Sequence, residues 1–121
     1  MSKQRKEVKT YLIDIKSSCS KILKYTKNTT RDEFIKDHIL SDAVEKNLLI
    51  IGEAATKIPS DFKNINNGIN WKSIVGIRNK IIHEYFDINI DTIWLTVKED
   101  VPKLKKQINK ILKDLGKKTL K

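Results

Sequence analysis

Three observations predict an all-helical fold: apolar residues recur at spacings of three and four along most of the chain, glycine and proline are scarce, and charged residues fill the intervening positions. Of 121 residues, 39% are hydrophobic and 33% charged, with four Gly and two Pro, a composition that suits a packed helical protein and not a disordered one. The length suits one domain, since single domains usually run to about 100 to 200 residues. We place that domain over residues 1–115 and read 116–121 as a Lys-rich tail.

The first stripe is Val8, Tyr11, Leu12, Ile15, Cys19, Ile22 and Leu23, which predicts a helix over residues 3 to 26. Lys27, Asn28 and Thr29 interrupt it. Thr30 and Glu33 stand at capping-box spacing ahead of Phe34 and Ile35, so a short second helix follows, with a bend between Asp37 and Ser41. Ala43, Val44, Leu48, Ile51, Ala55 and Ile58 form the next stripe, closed by Pro59, which cannot continue a hydrogen-bonded helix. Within it Gly52 costs helix stability, which a tight helix crossing or a dimer contact would offset. Residues 59–70 are rich in Asn, Ser, Pro and Gly and read as a polar loop. Trp71 opens a further helix that carries Ile74, Val75, Ile77, Arg78, Ile81, Ile82 and His83. After a break at Asp87, Asn89 and Asp91, a seam from Trp94 through Val97, Val101, Leu104, Ile108 and Ile111 to Leu115 predicts the last helix, kinked or restarted at Pro102. The expected architecture is a bundle of four to five helices.

The net charge is +10, which raises the local concentration of any polyanion, nucleic acid first. The 25 basic residues comprise 22 Lys and three Arg beside 19 Ile, so a compositional bias supplies much of that charge. Arginine is rare enough here to single out Arg78, whose guanidinium can grip a phosphate in a bidentate way that lysine cannot. Cys19 is the only cysteine, and no run of about 18 apolar residues or cleavable apolar leader is present, so a cytoplasmic protein without a membrane role is expected. His38 and His83 stand apart and Cys19 has no companion, so no metal ligand set and no cofactor is expected.

The chemistry concentrates in Arg78-Asn79-Lys80-Ile81-Ile82-His83-Glu84-Tyr85. An Arg and a His suffice for cleavage of RNA without a metal. Histidine exchanges protons with the attacking 2′-hydroxyl or the leaving 5′-oxygen, and arginine stabilises charge on the phosphoryl oxygens. On a regular helix Arg78 and His83 lie about 140° apart, so a shared site needs the helix to end near His83 or a second copy to complete it. Asn79 and His83, four apart, share a face. Plainer readings stand beside these: His83 as a helix-terminal histidine, Arg78 as a salt-bridge residue, Tyr85 as a packed aromatic, and Glu53 as either a partner of Arg78 or part of a solvated face.

The pattern Arg78-x4-His83-x-Tyr85 resembles the hallmark of the HepT-like branch of the HEPN superfamily. So do Asp42-Ala43-Val44, Asn47-Leu48, Ile50-Ile51-Gly52-Glu53-Ala54, Trp71, Ile74 to Asn79 and His83 to Phe86, in order and at matching distances. The resemblance covers most of residues 8 to 112. It implies a HEPN-type helical bundle that homodimerises, with the motif helices of both copies lining one cleft where RNA is cut. It also implies the toxin of a type VII-like toxin–antitoxin pair, whose partner is a minimal nucleotidyltransferase antitoxin able to transfer AMP to Tyr85. The added phosphate would repel RNA. On this reading Arg78 and His83 are catalytic, Asn79 and Glu53 support them, and Tyr85 is the regulatory site. Glu45-Lys46 depart from the usual apolar-then-Arg pair of relatives. Two other readings compete: a non-catalytic RNA-binding or accessory subunit of a nucleotidyltransferase complex, and a structural helical adaptor.

Overall fold

A computed structural model describes residues 3–119 of the chain. All regular structure among them is helical: α1 (Lys3–Tyr25), α2 (Arg31–Lys36), α3 (His38–Thr56), α4 (Ser60–Ile65), α5 (Trp71–His83), α6 (Ile90–Leu95) and α7 (Val101–Thr119), with a π-helical turn at Thr96–Asp100 joining the last two. Four long helices, as expected, form the bundle; α2 and α4 are single-turn additions and α6 runs into α7. α3 lies between α1 and α5, and α1 also packs on α7. α5 therefore sits at one side of the bundle, held mainly by α3.

The stripes pack as their spacing predicts. Leu12, Ile15, Cys19 and Ile22 of α1, Val44, Leu48, Ile51 and Ala55 of α3, and Val97, Val101, Leu104 and Ile108 of the last helix form one core. α1 ends where Thr26 turns its hydroxyl back to the Ile22 carbonyl at 2.8 Å and Asn28 adopts a left-handed φ of 61°. The capping box forms: Thr30 Oγ1 accepts from the Glu33 amide and Glu33 Oε1 accepts from the Thr30 amide, each at 3.2 Å. That turn delivers Phe34, fully buried, against Trp94 with ring centroids 5.1 Å apart. Arg31 donates from Nε to Asp91 Oδ1 at 2.6 Å, tying α2 to α6.

Two local expectations are corrected, and a third is decided between its alternatives. The bend between 37 and 41 shrinks to the one residue Asp37, which closes α2 through its amide and caps α3 by accepting from the Leu40 amide at 3.0 Å, so Ser41 is already buried inside α3. The polar loop 59–70 contains α4. Pro59 pre-sets φ at −61° and Phe62 turns onto the core, enough to hold one helical turn against a polar sequence. Of the kink or restart expected at Pro102, the restart is present: α7 begins at Val101, with Pro102 in its first turn. The π turn ahead of it, closed by a bond from the Val101 amide to the Thr96 carbonyl, shifts the hydrogen-bond register before the ring that lacks a donor. Part of the tail 116–121 is helical, since α7 runs to Thr119; Leu120 and Lys121 lie outside the described residues. Among the described residues no helix is long and apolar enough to cross a membrane.

Candidate active site

Helix α5 carries the site and is anchored at both ends. Asn70 caps it by accepting from the Ser73 amide at 3.0 Å, and Trp71, buried, donates its indole N–H to the Asn66 carbonyl at 3.0 Å. Ile81 buries the other end. Between them α5 crosses α3 at Gly52: a Cβ placed there would stand 2.1 Å from Arg78 Cβ and 2.7 Å from Cγ. The stem of Arg78 thus lies on the α3 backbone where only glycine leaves room. Of the two offsets expected for the cost of Gly52, the tight crossing is present within one chain.

That crossing brings the next residue of α3, Glu53, to the guanidinium. Arg78 donates from Nε to Glu53 Oε1 at 2.7 Å and from Nη1 to Asn79 Oδ1 at 2.7 Å, and its Nη2 stands 2.6 Å from Glu53 Oε1 in the ion pair. A guanidinium has five N–H groups. Nε and Nη1 are engaged by hydrogen bonds and Nη2 by the ion pair, and further N–H groups on the terminal nitrogens have no protein acceptor among the described residues. The side chain is 27% exposed, so the guanidinium is held by Glu53 and Asn79 and stays partly open to solvent. Glu53 is thereby placed as the partner of Arg78, and Asn79 as a second acceptor on the same helix.

His83 is the last residue of α5 and is exposed; the Glu84 amide closes the helix behind it by donating to the Lys80 carbonyl at 2.8 Å. Among the described residues no hydrogen bond or ion pair joins His83 to Arg78 or to Asn79. One chain therefore presents the Arg and the His on the same short helix without bringing them together. Tyr85 follows in a turn closed by the Asp87 amide and the Glu84 carbonyl at 2.9 Å. It is about half exposed, not a packed aromatic, and stands edge-on to Phe86 with centroids 5.2 Å apart and planes at 83°. Tyr85 opens onto a shallow depression between Asp42, Glu45, Lys46 and Leu49 of α3 and Ile81 and Ile82 of α5. Glu45 is buried on its floor, and burial first, then the neighbouring Asp42 carboxylate, raises its carboxyl above the usual range. Among the described residues no cluster of three or more His, Cys, Asp or Glu assembles as a metal site.

Two contributors escape the sequence reading. Gly52 is legible there only as a close approach of unknown partner, and the solvent-facing position of Phe86 has no signal, because an aromatic after a helix usually turns inward.

The fold and this helix define an all-helical, HEPN-type protein with an Arg–His motif. The family model described as "Ribonuclease HepT-like" matches residues 15–111, and the chain belongs to that family. It is 39% identical over 105 residues to a Thermococcus cleftensis protein named "Probable ribonuclease HepT", covering 87% of this chain and 96% of that one. A candidate RNase of Methanocaldococcus jannaschii is 39% identical over 114 residues, covering 94% of this chain and 98% of that protein. A second protein of that organism, named as a gamma-glutamylcyclotransferase and candidate RNase, is 42% identical over 113 residues. This chain covers 93% of its own length there but spans only 51% of that longer protein. No solved structure matches the chain.

Proposed function

We propose that this chain is a metal-independent endoribonuclease, the toxin of a type VII-like toxin–antitoxin pair, that cuts RNA in a cleft shared by two copies. The observation that carries the reading is the partly exposed Arg78 guanidinium, held by Glu53 and Asn79, on the helix that ends in an exposed His83. Its remaining terminal N–H groups can donate to phosphodiester oxygens. The 2′-hydroxyl oxygen attacks the adjacent phosphorus, the bond to the 5′-oxygen breaks, and a cyclic phosphate and a 5′-hydroxyl result. His83 of one copy takes the 2′ proton and His83 of the other gives one to the leaving oxygen.

Pairing of two α5 helices supplies what the single chain lacks. Ile39, Lys46, Ile50 and Glu53 recur on one face of α3, and Ile39 (85%), Ile50 (36%) and, on α5, Ile82 (44%) stay exposed in the single chain, which supports a protein contact beside the site. The exposed Tyr85 hydroxyl is open to a nucleotidyltransferase antitoxin. Its oxygen would attack the α-phosphorus of ATP, releasing pyrophosphate, and the added AMP would place negative charge beside Arg78 and His83.

Purified protein is expected to cut a labelled RNA in the presence of a chelator, and a folded His83→Ala variant is expected not to. Cleavage retained by that variant overturns the assignment. Dimers mixed from parent and His83→Ala chains should lose activity along with the His83→Ala dimer, because the step uses His83 of both copies. Intact mass after co-expression with the antitoxin should rise by one or more AMP units mapped to Tyr85.

A further inference from the structure

Phe86 is 95% exposed, the most exposed large apolar side chain among the described residues, and it sits three positions after His83. A phenyl ring left in water forgoes the gain of burial, which a bound partner would recover. The backbone holds it firmly. Glu84 to Asp87 form a tight turn closed at 2.9 Å, directly after a helix terminus closed at 2.8 Å, and Tyr85 and Phe86 occupy the two central positions. The Phe86 ring stands edge-on to Tyr85 at 83° and, at 95% exposure, leaves ring face open to solvent.

The charges around the turn state what the ring can take. Glu84 and Asp87 flank it, both exposed, and would repel a phosphate placed on the turn itself. Arg78 and the exposed Lys80, one to two helical turns back on α5, would attract one. A ligand with an uncharged flat ring at one end and a phosphate at the other fits that gradient, and the flanking carboxylates can accept hydrogen bonds from a base amino group.

We propose that the Tyr85–Phe86 turn is a stacking platform for one unpaired nucleobase of the strand whose phosphate Arg78 holds, so that the substrate is single-stranded RNA. The inference rests on the ribonuclease reading and specifies its substrate. In a duplex the base faces are already stacked and paired, and the ring has nothing to receive.

The test uses the full chain carrying His83→Ala, which leaves RNA intact, and a short single-stranded RNA with 2-aminopurine as the reporting base, alongside the same strand in a duplex. Phe86 is expected to change the reporter emission on binding. Phe86→Leu and Phe86→Ala are both expected to weaken single-strand binding roughly tenfold with duplex binding and oligomeric state unchanged, while Phe86→Trp preserves it. Equal binding by the Ala variant, rescue by Leu, or a change of subunit assembly on substitution overturns the platform; the last two would instead make Phe86 a protein contact. The two readings separate cleanly. If all Phe86 variants bind and cut single strands as the parent does, the platform falls and the ribonuclease stands; binding through Phe86 without cleavage by the parent chain removes the ribonuclease and leaves the platform.

Discussion

At position 52 a single hydrogen in place of a methyl decides where Arg78 lies. Gly52→Ala would put a carbon 2.1 Å from Arg78 Cβ, so α3 and α5 must separate. A stability loss of about 1–3 kcal/mol is expected in denaturant titration, together with loss of cleavage because the guanidinium leaves Glu53. Arg78→Lys keeps the charge but loses the planar fork, so it should cost under about 1 kcal/mol of stability while RNA cleavage falls steeply in the same preparation. Cys19 shows the opposite case of a reactive type made inert. Burial pushes its thiol up to about 12, with Lys105 opposing weakly, so thiol reagents near neutral pH should label it only after unfolding. Arg78 and His83 are legible in the sequence because the motif names them. The Glu53 pairing is legible only as one of two options, since nothing in a linear spacing of 25 residues says which faces of α3 and α5 meet.

Among the elements, the long helices are legible because their apolar stripes are unbroken and their ends are marked, by Pro59 after α3 and by Asn70 before Trp71, and the short α2 is legible from its capping box of Thr30 with Glu33. Asn70→Ala should cost about 1 kcal/mol, read as a lower melting midpoint, with cleavage per folded molecule retained because Asn70 holds the helix start and not the site. The short α4 is missed for a physical reason. Its only inward side chain is Phe62, and one aromatic in a polar segment makes no periodicity. The π turn before Pro102 is likewise silent in sequence, because both a kink and a register shift relieve the same clash.

For the whole molecule, the depression between α3 and α5 holds a carboxyl that resists ionisation. The fold favours protonated Glu45, so the stability this group contributes is complete at low pH and is lost as pH rises through its raised folded-state value. Glu45→Gln should therefore melt above the parent at about pH 8 and close to it at about pH 4. The charge of +10 predicts RNA affinity that falls steeply with salt, while the composition alone leaves open how much of that charge serves RNA. The proposed association of two copies has no signal in one chain's periodicity; its sequence argument is the roughly 140° between Arg78 and His83 that one helix cannot close. The most direct test of the account is to identify the new ends made when the purified chain cuts a defined single-stranded RNA, comparing the parent with folded His83→Ala. The parent is expected to leave cyclic phosphate and 5′-hydroxyl ends, and the variant none. Ends bearing a 5′-phosphate, or identical products from His83→Ala, would contradict it.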